Sequence, residues 1–291
     1  MKVRADAAQR RAVQAKRGAS SEPASAAQQR APAPDIAASG GKQRAPARGK
    51  PAPAGTAAVK SQRIPSLDAL RGLAIVAMIG YHFCFDLRYF GLVRWDFEHD
   101  LRWLGARAAI LSSFLLIAGV SAVLAHRQPA PLAHWLRHLA VIAIAAVLVS
   151  AGSYLMFPRS FIWFGVLHAI ALSLLLARPL FGRPRLAALI GVAIIGSGVS
   201  FSNALFDNRA LGWIGFVTAK PLTEDYVPLF PWMGVLLLGI ALGHALVRNR
   251  LAILSPLARA PSVLRALGRH SLIVYLVHQP VMIGVLWGLA R

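Results

Sequence analysis

Acidic residues are scarce in this chain: 11 Asp and Glu stand against 32 Lys and Arg, and charged residues of all kinds make up only 15% of it. A soluble domain carries about a quarter. There is one cysteine, Cys84, so no disulfide can close within the chain. It sits in an apolar stretch and reads as a small hydrophobe. No metal motif, Walker loop, dinucleotide fingerprint or nucleophile elbow is present, and no repeat recurs at a fixed period. These absences leave no soluble nucleotide-dependent or metal-dependent domain to argue for.

What the chain has instead is apolar residue in long blocks: 56% of its 291 residues are hydrophobic, with a mean hydropathy of +0.54. Blocks of about eighteen residues or more read as membrane spans. Seven follow residue 63, at about 67–87, 104–125, 138–157, 161–181, 186–205, 227–247 and 270–289. The expected fold is all-α, a polytopic bundle of about seven transmembrane helices. Residues 1–63 are rich in Ala, Pro, Gln, Arg and Lys, and too poor in large apolar residues to offset their ordering entropy. They are expected to form a disordered basic tail, and the absence of an apolar run after the basic start argues against a secretory signal.

The net charge of +21 could suggest a nucleic-acid partner, but the bases lie in the tail and at the ends of apolar blocks. That is the cytoplasmic bias of Lys and Arg in membrane proteins. The connection at 126–137 carries Arg127 and Arg137, the turn after the fourth block Arg183 and Arg185, and the connection after the sixth Arg248, Arg250, Arg259, Arg265 and Arg269. The alternate connections, 88–103 and 206–226, balance their bases with acids. The pattern places the N-terminus in the cytoplasm and the C-terminus outside. Membrane lipid is the expected surrounding and nucleic acid is not an expected partner. Trp95, Trp103, Trp163 and Trp213 read as aromatics at the outer interface.

The first span carries Asp68, Arg71, His82 and Asp86. At 100° per residue these fall within a stripe about 60° wide, with Arg71 and His82 about 16 Å apart along the axis. Ionisable groups at hydrocarbon depth are costly unless paired or facing water, and mark functional sites by default. Taken singly, Asp68 with Arg71, and Asp86 with Arg88, also read as ordinary helix ends. His168 and His278 lie inside later spans and are either structural hydrogen-bonding residues or members of a site. Arg107, early in the second span, is expected to pair with Asp86.

The segment Arg63-Ile64-Pro65-Ser66-Leu67-Asp68-Ala69-Leu70-Arg71-Gly72, continuing through His82 and Asp86, resembles the heparan-alpha-glucosaminide N-acetyltransferase catalytic-domain family, and its short bacterial members in particular. Supporting matches are Phe164-Gly165-Val166-Leu167-His168, Phe230-Pro231-Trp232-Met233-Gly234 and Gly268-Arg269-His270-Ser271-Leu272 through His278-Gln279-Pro280. The resemblance spans about residues 63–289. It implies a transmembrane acyltransferase of a bacterial inner membrane that takes an acetyl or similar group from cytoplasmic acyl-CoA, without a metal, to a sugar or glycolipid acceptor on the outer face. Arg71 would meet the phosphates of CoA. His82 would act as general base or accept the acyl group, oriented by Asp68 or Asp86. The longer relatives have an active-site histidine in the loop after the first span, where this chain has His99 without a clear alignment. A transporter or channel lined by the polar stripe is the alternative reading, and a haem carrier using His82, His168 and His278 a third.

Overall fold

The computed structural model describes residues 64–129 and 131–289. The tail expected at 1–63 lies outside them. Eight α-helices follow one another: α1 Pro65–Tyr89, α2 Leu101–His126, α3 Leu132–Met156, α4 Val166–Ala177, α5 Pro184–Ser200, α6 Leu229–Arg248, α7 Ser262–Arg269 and α8 Ser271–Leu289. Among the described residues there is no strand, only an isolated bridge between Phe164 and Tyr226. Each of the seven apolar blocks corresponds to one helix. Five of them (α1, α2, α3, α6 and α8) are long and apolar enough to cross a membrane, while α4 and α5 are shorter. The protein is a multi-pass membrane protein. Large apolar side chains such as Ile144, Val147, Leu155, Leu189, Val192 and Val199 are exposed, as contact with lipid requires.

Helix α6 is the centre of the bundle and packs on α2, α4 and α5. Leu236, Leu237 and Ile240 are fully buried there. Lipid tails are as apolar as the helix surfaces, so association depends on close packing through small residues. A Cβ built on Gly119 would lie 2.2 Å from the Leu236 carbonyl oxygen, and one on Gly239 2.5 Å from that of Leu116. The α2–α6 contact is backbone against backbone.

Helix α3 begins at Leu132, ahead of its block at 138, and α5 ends at Ser200, short of 205; two further departures shape the bundle. The fourth block begins at Phe161, yet α4 begins at Val166. The stretch between is extended, and neighbouring groups satisfy its backbone: the Ser150 hydroxyl donates to the Ile162 carbonyl at 2.6 Å, Ile162 N–H to the Ser153 hydroxyl at 3.0 Å, and the Thr223 hydroxyl to the Phe161 carbonyl at 2.9 Å. Asp225 then accepts from Val166 N–H at 2.9 Å, setting a carboxylate at the positive end of α4. The second difference is α7, a short amphipathic helix in a connection that reads as a basic loop. It follows a 3₁₀ segment, Ala252–Arg259, and lies against the start of α1.

Candidate active site

The polar groups of α1 form two clusters rather than one continuous line. At its start Pro65 occupies the first turn, where its missing N–H costs nothing, and Asp68 follows in that turn. Asp68, 6% exposed, pairs with Arg71, whose Nη1 donates to Asp68 Oδ1 at 3.1 Å. Arg71 Nη2 donates to Ser121 Oγ of α2 at 2.6 Å, and the Ser121 hydroxyl donates to the Ile117 carbonyl at 2.5 Å. Behind them Gly268 of α7 sits so close that a Cβ would lie 1.7 Å from the Asp68 carbonyl oxygen. The Arg71 guanidinium is therefore oriented by a carboxylate and a hydroxyl from two helices.

The second cluster lines a cavity of about 910 Å³ at the other end of α1. Its wall on that helix runs from Met78 to Tyr89 and includes His82 and Asp86. Its polar part also includes Arg107 of α2, Lys220, Glu224 and Asp225 of the 206–228 connection, and Tyr275, His278 and Gln279 of α8. The His82 ring centre lies 5.1 Å from that of His278 and 5.9 Å from that of Tyr81. Asp86, only 2% exposed, accepts from Gln279 Nε2 at 2.7 Å. Its second oxygen, Gln279 Oε1 and His278 Nε2 are buried with no hydrogen-bond partner. Three buried acceptors lacking donors are costly unless a ligand brings N–H or O–H groups to them.

Of the residues singled out in the sequence, His82, Asp86, His278 and Arg107 come together around this cavity, and Asp68 and Arg71 do not. Asp68 lies about 21 Å from His82 along the helix at 1.5 Å per residue. Gln279, not His82, bonds Asp86. The expected Asp86–Arg107 pair is not formed: Arg107 Nη2 donates instead to the Tyr226 carbonyl at 3.0 Å, because the 206–228 connection folds in beside α2. His168 is absent from the lining. Its Nδ1 accepts from Gly165 N–H at 3.3 Å, which leaves Nε2 as the donor to Ser150 Oγ at 3.3 Å.

Several lining residues were not legible as site residues. Gln279 carries no charge, and only its neighbour His278 in the His-Gln-Pro run points to it. Lys220 and Asp225 reach the cavity from a connection that reads as balanced charge. Burial and the neighbouring Arg107 charge hold the Lys220 ammonium below its usual range. Tyr226 is pushed up to about 12, chiefly by burial, and its hydroxyl donates to the Gly212 carbonyl at 2.6 Å. His99 lines the rim with an exposed side chain paired to Asp96 at 3.1 Å. Among the described residues no group of three His, Cys, Asp or Glu is placed to hold a metal ion.

The fold is thus a multi-pass helical bundle with a cavity lined by His82, His278, the rim residue His99 and the buried Asp86 carboxylate. The family model for the heparan-alpha-glucosaminide N-acetyltransferase catalytic domain matches residues 63–280, so the chain belongs to that family of membrane acetyltransferases. No curated protein and no solved structure matches it.

Proposed function

We propose that the protein transfers an acetyl or similar acyl group from cytoplasmic acyl-CoA to a hydroxyl or amine of a sugar or glycolipid on the outer face of a bacterial inner membrane. The observation that carries this reading is the division of α1: an oriented arginine at one end, and a histidine in a polar cavity about 16 Å away along the helix. The basic connections lie at the Arg71 end, which the bias of Lys and Arg assigns to the cytoplasm. A guanidinium fork suits the phosphates of CoA. His82 takes the acceptor's proton as its oxygen or nitrogen attacks the thioester carbonyl. Asp86 and Gln279 line the place where the acceptor docks. The reading requires the pantetheine arm to pass between Arg71 and Met78, a stretch outside the cavity wall.

The same stretch weighs against a solute path along the whole of α1, which would need a lining from end to end. The test is purified protein incubated with labelled acetyl-CoA and candidate amino sugars or glycolipids, followed by CoA release. Turnover that is abolished in His82→Ala supports the reading. Wild-type turnover in a folded His82→Ala, or solute flux in proteoliposomes without thioester cleavage, would sink it.

A further inference from the structure

A general base needs its lone pair aimed at the acceptor, and an imidazole has two nitrogens that can exchange roles. Neither carboxylate of α1 fixes which nitrogen of His82 carries the proton: Asp86 is bonded to Gln279, and Asp68 is at the far end. The neighbouring ring of α8 is fixed. His278 Nδ1 lies 2.6 Å from the Tyr275 carbonyl, which can only accept. Nδ1 therefore carries the hydrogen, and Nε2 of the neutral ring must be an acceptor. That nitrogen is buried and unpartnered.

The spacing of the two rings is the second observation. Imidazoles joined by a linear N–H···N bond of about 2.9 Å have centres about 5 Å apart, since each nitrogen lies about 1.1 Å from its ring centre. The His82 and His278 centres are 5.1 Å apart, with the planes tilted by 60°. Rotation about the Cβ–Cγ bond, a soft torsion for histidine, turns the ring nitrogens while leaving the ring centre almost in place. The separation is already that of a bonded pair, and only the orientation has to change.

We propose that His278 is the positioning partner of His82: its obligate acceptor nitrogen takes the N–H of His82 and so holds the other His82 nitrogen as a lone pair toward the acceptor. The inference rests on the acyl-transfer reading above and names what makes His82 competent in it. As the acceptor's oxygen or nitrogen bonds to the acyl carbon, its proton passes to His82. The carbon–sulfur bond breaks, and the proton returns to the thiolate to give CoA. While His82 is positively charged, its second N–H points at the unprotonated His278 Nε2, and His278 Nδ1–H donates to the Tyr275 carbonyl. The chain carbonyl, His278, His82 works as an orienting relay with no carboxylate in it.

Two measurements decide the matter. The first is ¹⁵N NMR of the histidine-labelled, detergent-purified full chain, with the His278 signals assigned by their loss in His278→Gln. The Nδ1–H tautomer is expected at His278, and the Nε2–H tautomer would overturn the proposal. The second is kinetics. His278→Met, which fills the space without an acceptor, is expected to lower kcat by about 100-fold with KM for the acceptor within twofold. His278→Gln, whose amide oxygen can accept in the same region, recovers most of that loss. Wild-type kcat in the Met variant, or equal losses in both variants, refutes a positioning role. A wild-type protein that releases no CoA from any acyl-CoA defeats the acyl-transfer reading instead, and the tautomer measurement, which needs no turnover, still decides whether His278 Nε2 is an acceptor.

Discussion

Gly268→Ala is the sharpest test of how the arginine end is built. A Cβ at this position would lie 1.7 Å from the Asp68 carbonyl oxygen, 2.7 Å from its carbon and 2.8 Å from Gly72 N. Ordinary contact needs about 3.4 Å, so α7 has to retreat from α1 by roughly 1.7 Å, because backbone on the α1 side has no rotamer to yield. Overpacking typically costs about 1–3 kcal/mol, and a clash with backbone alone belongs at the upper limit. The control is Gly284→Ala in α8, where a Cβ meets nothing within 4 Å. The expected result in an SDS unfolding titration is a destabilisation of about 3 kcal/mol for Gly268→Ala and almost none for Gly284→Ala. The Asp68–Arg71 pair lies under the same contact, so KM for acyl-CoA should rise while KM for the acceptor holds. Equal midpoints for the two variants would refute the claim that α7 is seated backbone to backbone on α1.

Three further outcomes follow from single contacts. Ser121→Ala removes the hydroxyl held at 2.6 Å by Arg71 and should cost about 1.5–3 kcal/mol, the range for a hydrogen bond to a charged group, with KM for acyl-CoA rising; an unchanged SDS midpoint and KM would show the bond to be idle. Asp225→Asn weakens the anion at the start of α4 and should destabilise by about 1 kcal/mol; hydrogen exchange at Val166 N–H should accelerate, and no change there counts against the cap. Asp207 accepts from Thr218 N–H at 2.7 Å and from the Thr218 hydroxyl, which hold its carboxyl below the usual 3.8. A depressed carboxyl contributes stability that is complete above the unfolded value and lost as pH falls through the folded one, so slow exchange at Thr218 N–H should persist down to pH 4 and fail below it. Protection that is already lost near pH 6 would contradict the tether.

The membrane architecture was readable because seven apolar blocks can hardly be anything else. Their ends were less so. Residues 161–165 are as apolar as the helix after them, and only the side chains of Ser150, Ser153 and Thr223, distant in sequence, show why this backbone need not be helical. Helix α7 was missed because its eight residues carry Arg265 and Arg269 and look like a basic loop. Helical arithmetic placed Asp68, Arg71, His82 and Asp86 on one face, but a shared face does not imply a shared site. Their partners come from α2 and α8, and the pairing of Asp86 with Gln279 spans 193 residues, a contact that no local spacing encodes. The Asp86–Arg107 pairing assumed that nearby opposite charges meet. The Tyr226 carbonyl, brought in by the 206–228 connection, took the arginine instead.

The short reach of α5 has a consequence for the lipid around the protein. Its 17 residues rise about 25 Å at 1.5 Å each, against a hydrocarbon core of about 30 Å. Helix α4 and its 3₁₀ continuation, Val166–Leu180, are shorter still. A span that falls short makes the bilayer thin at that flank, at a fraction of a kcal/mol per ångström. A bilayer that adapts to such short helices thins beside them, which brings its headgroups deeper there. Under the proposed acyl-transfer reading, a lipid-borne acceptor would meet thinner bilayer beside these helices, and the rate in reconstituted bilayers is expected to rise as acyl chains are shortened.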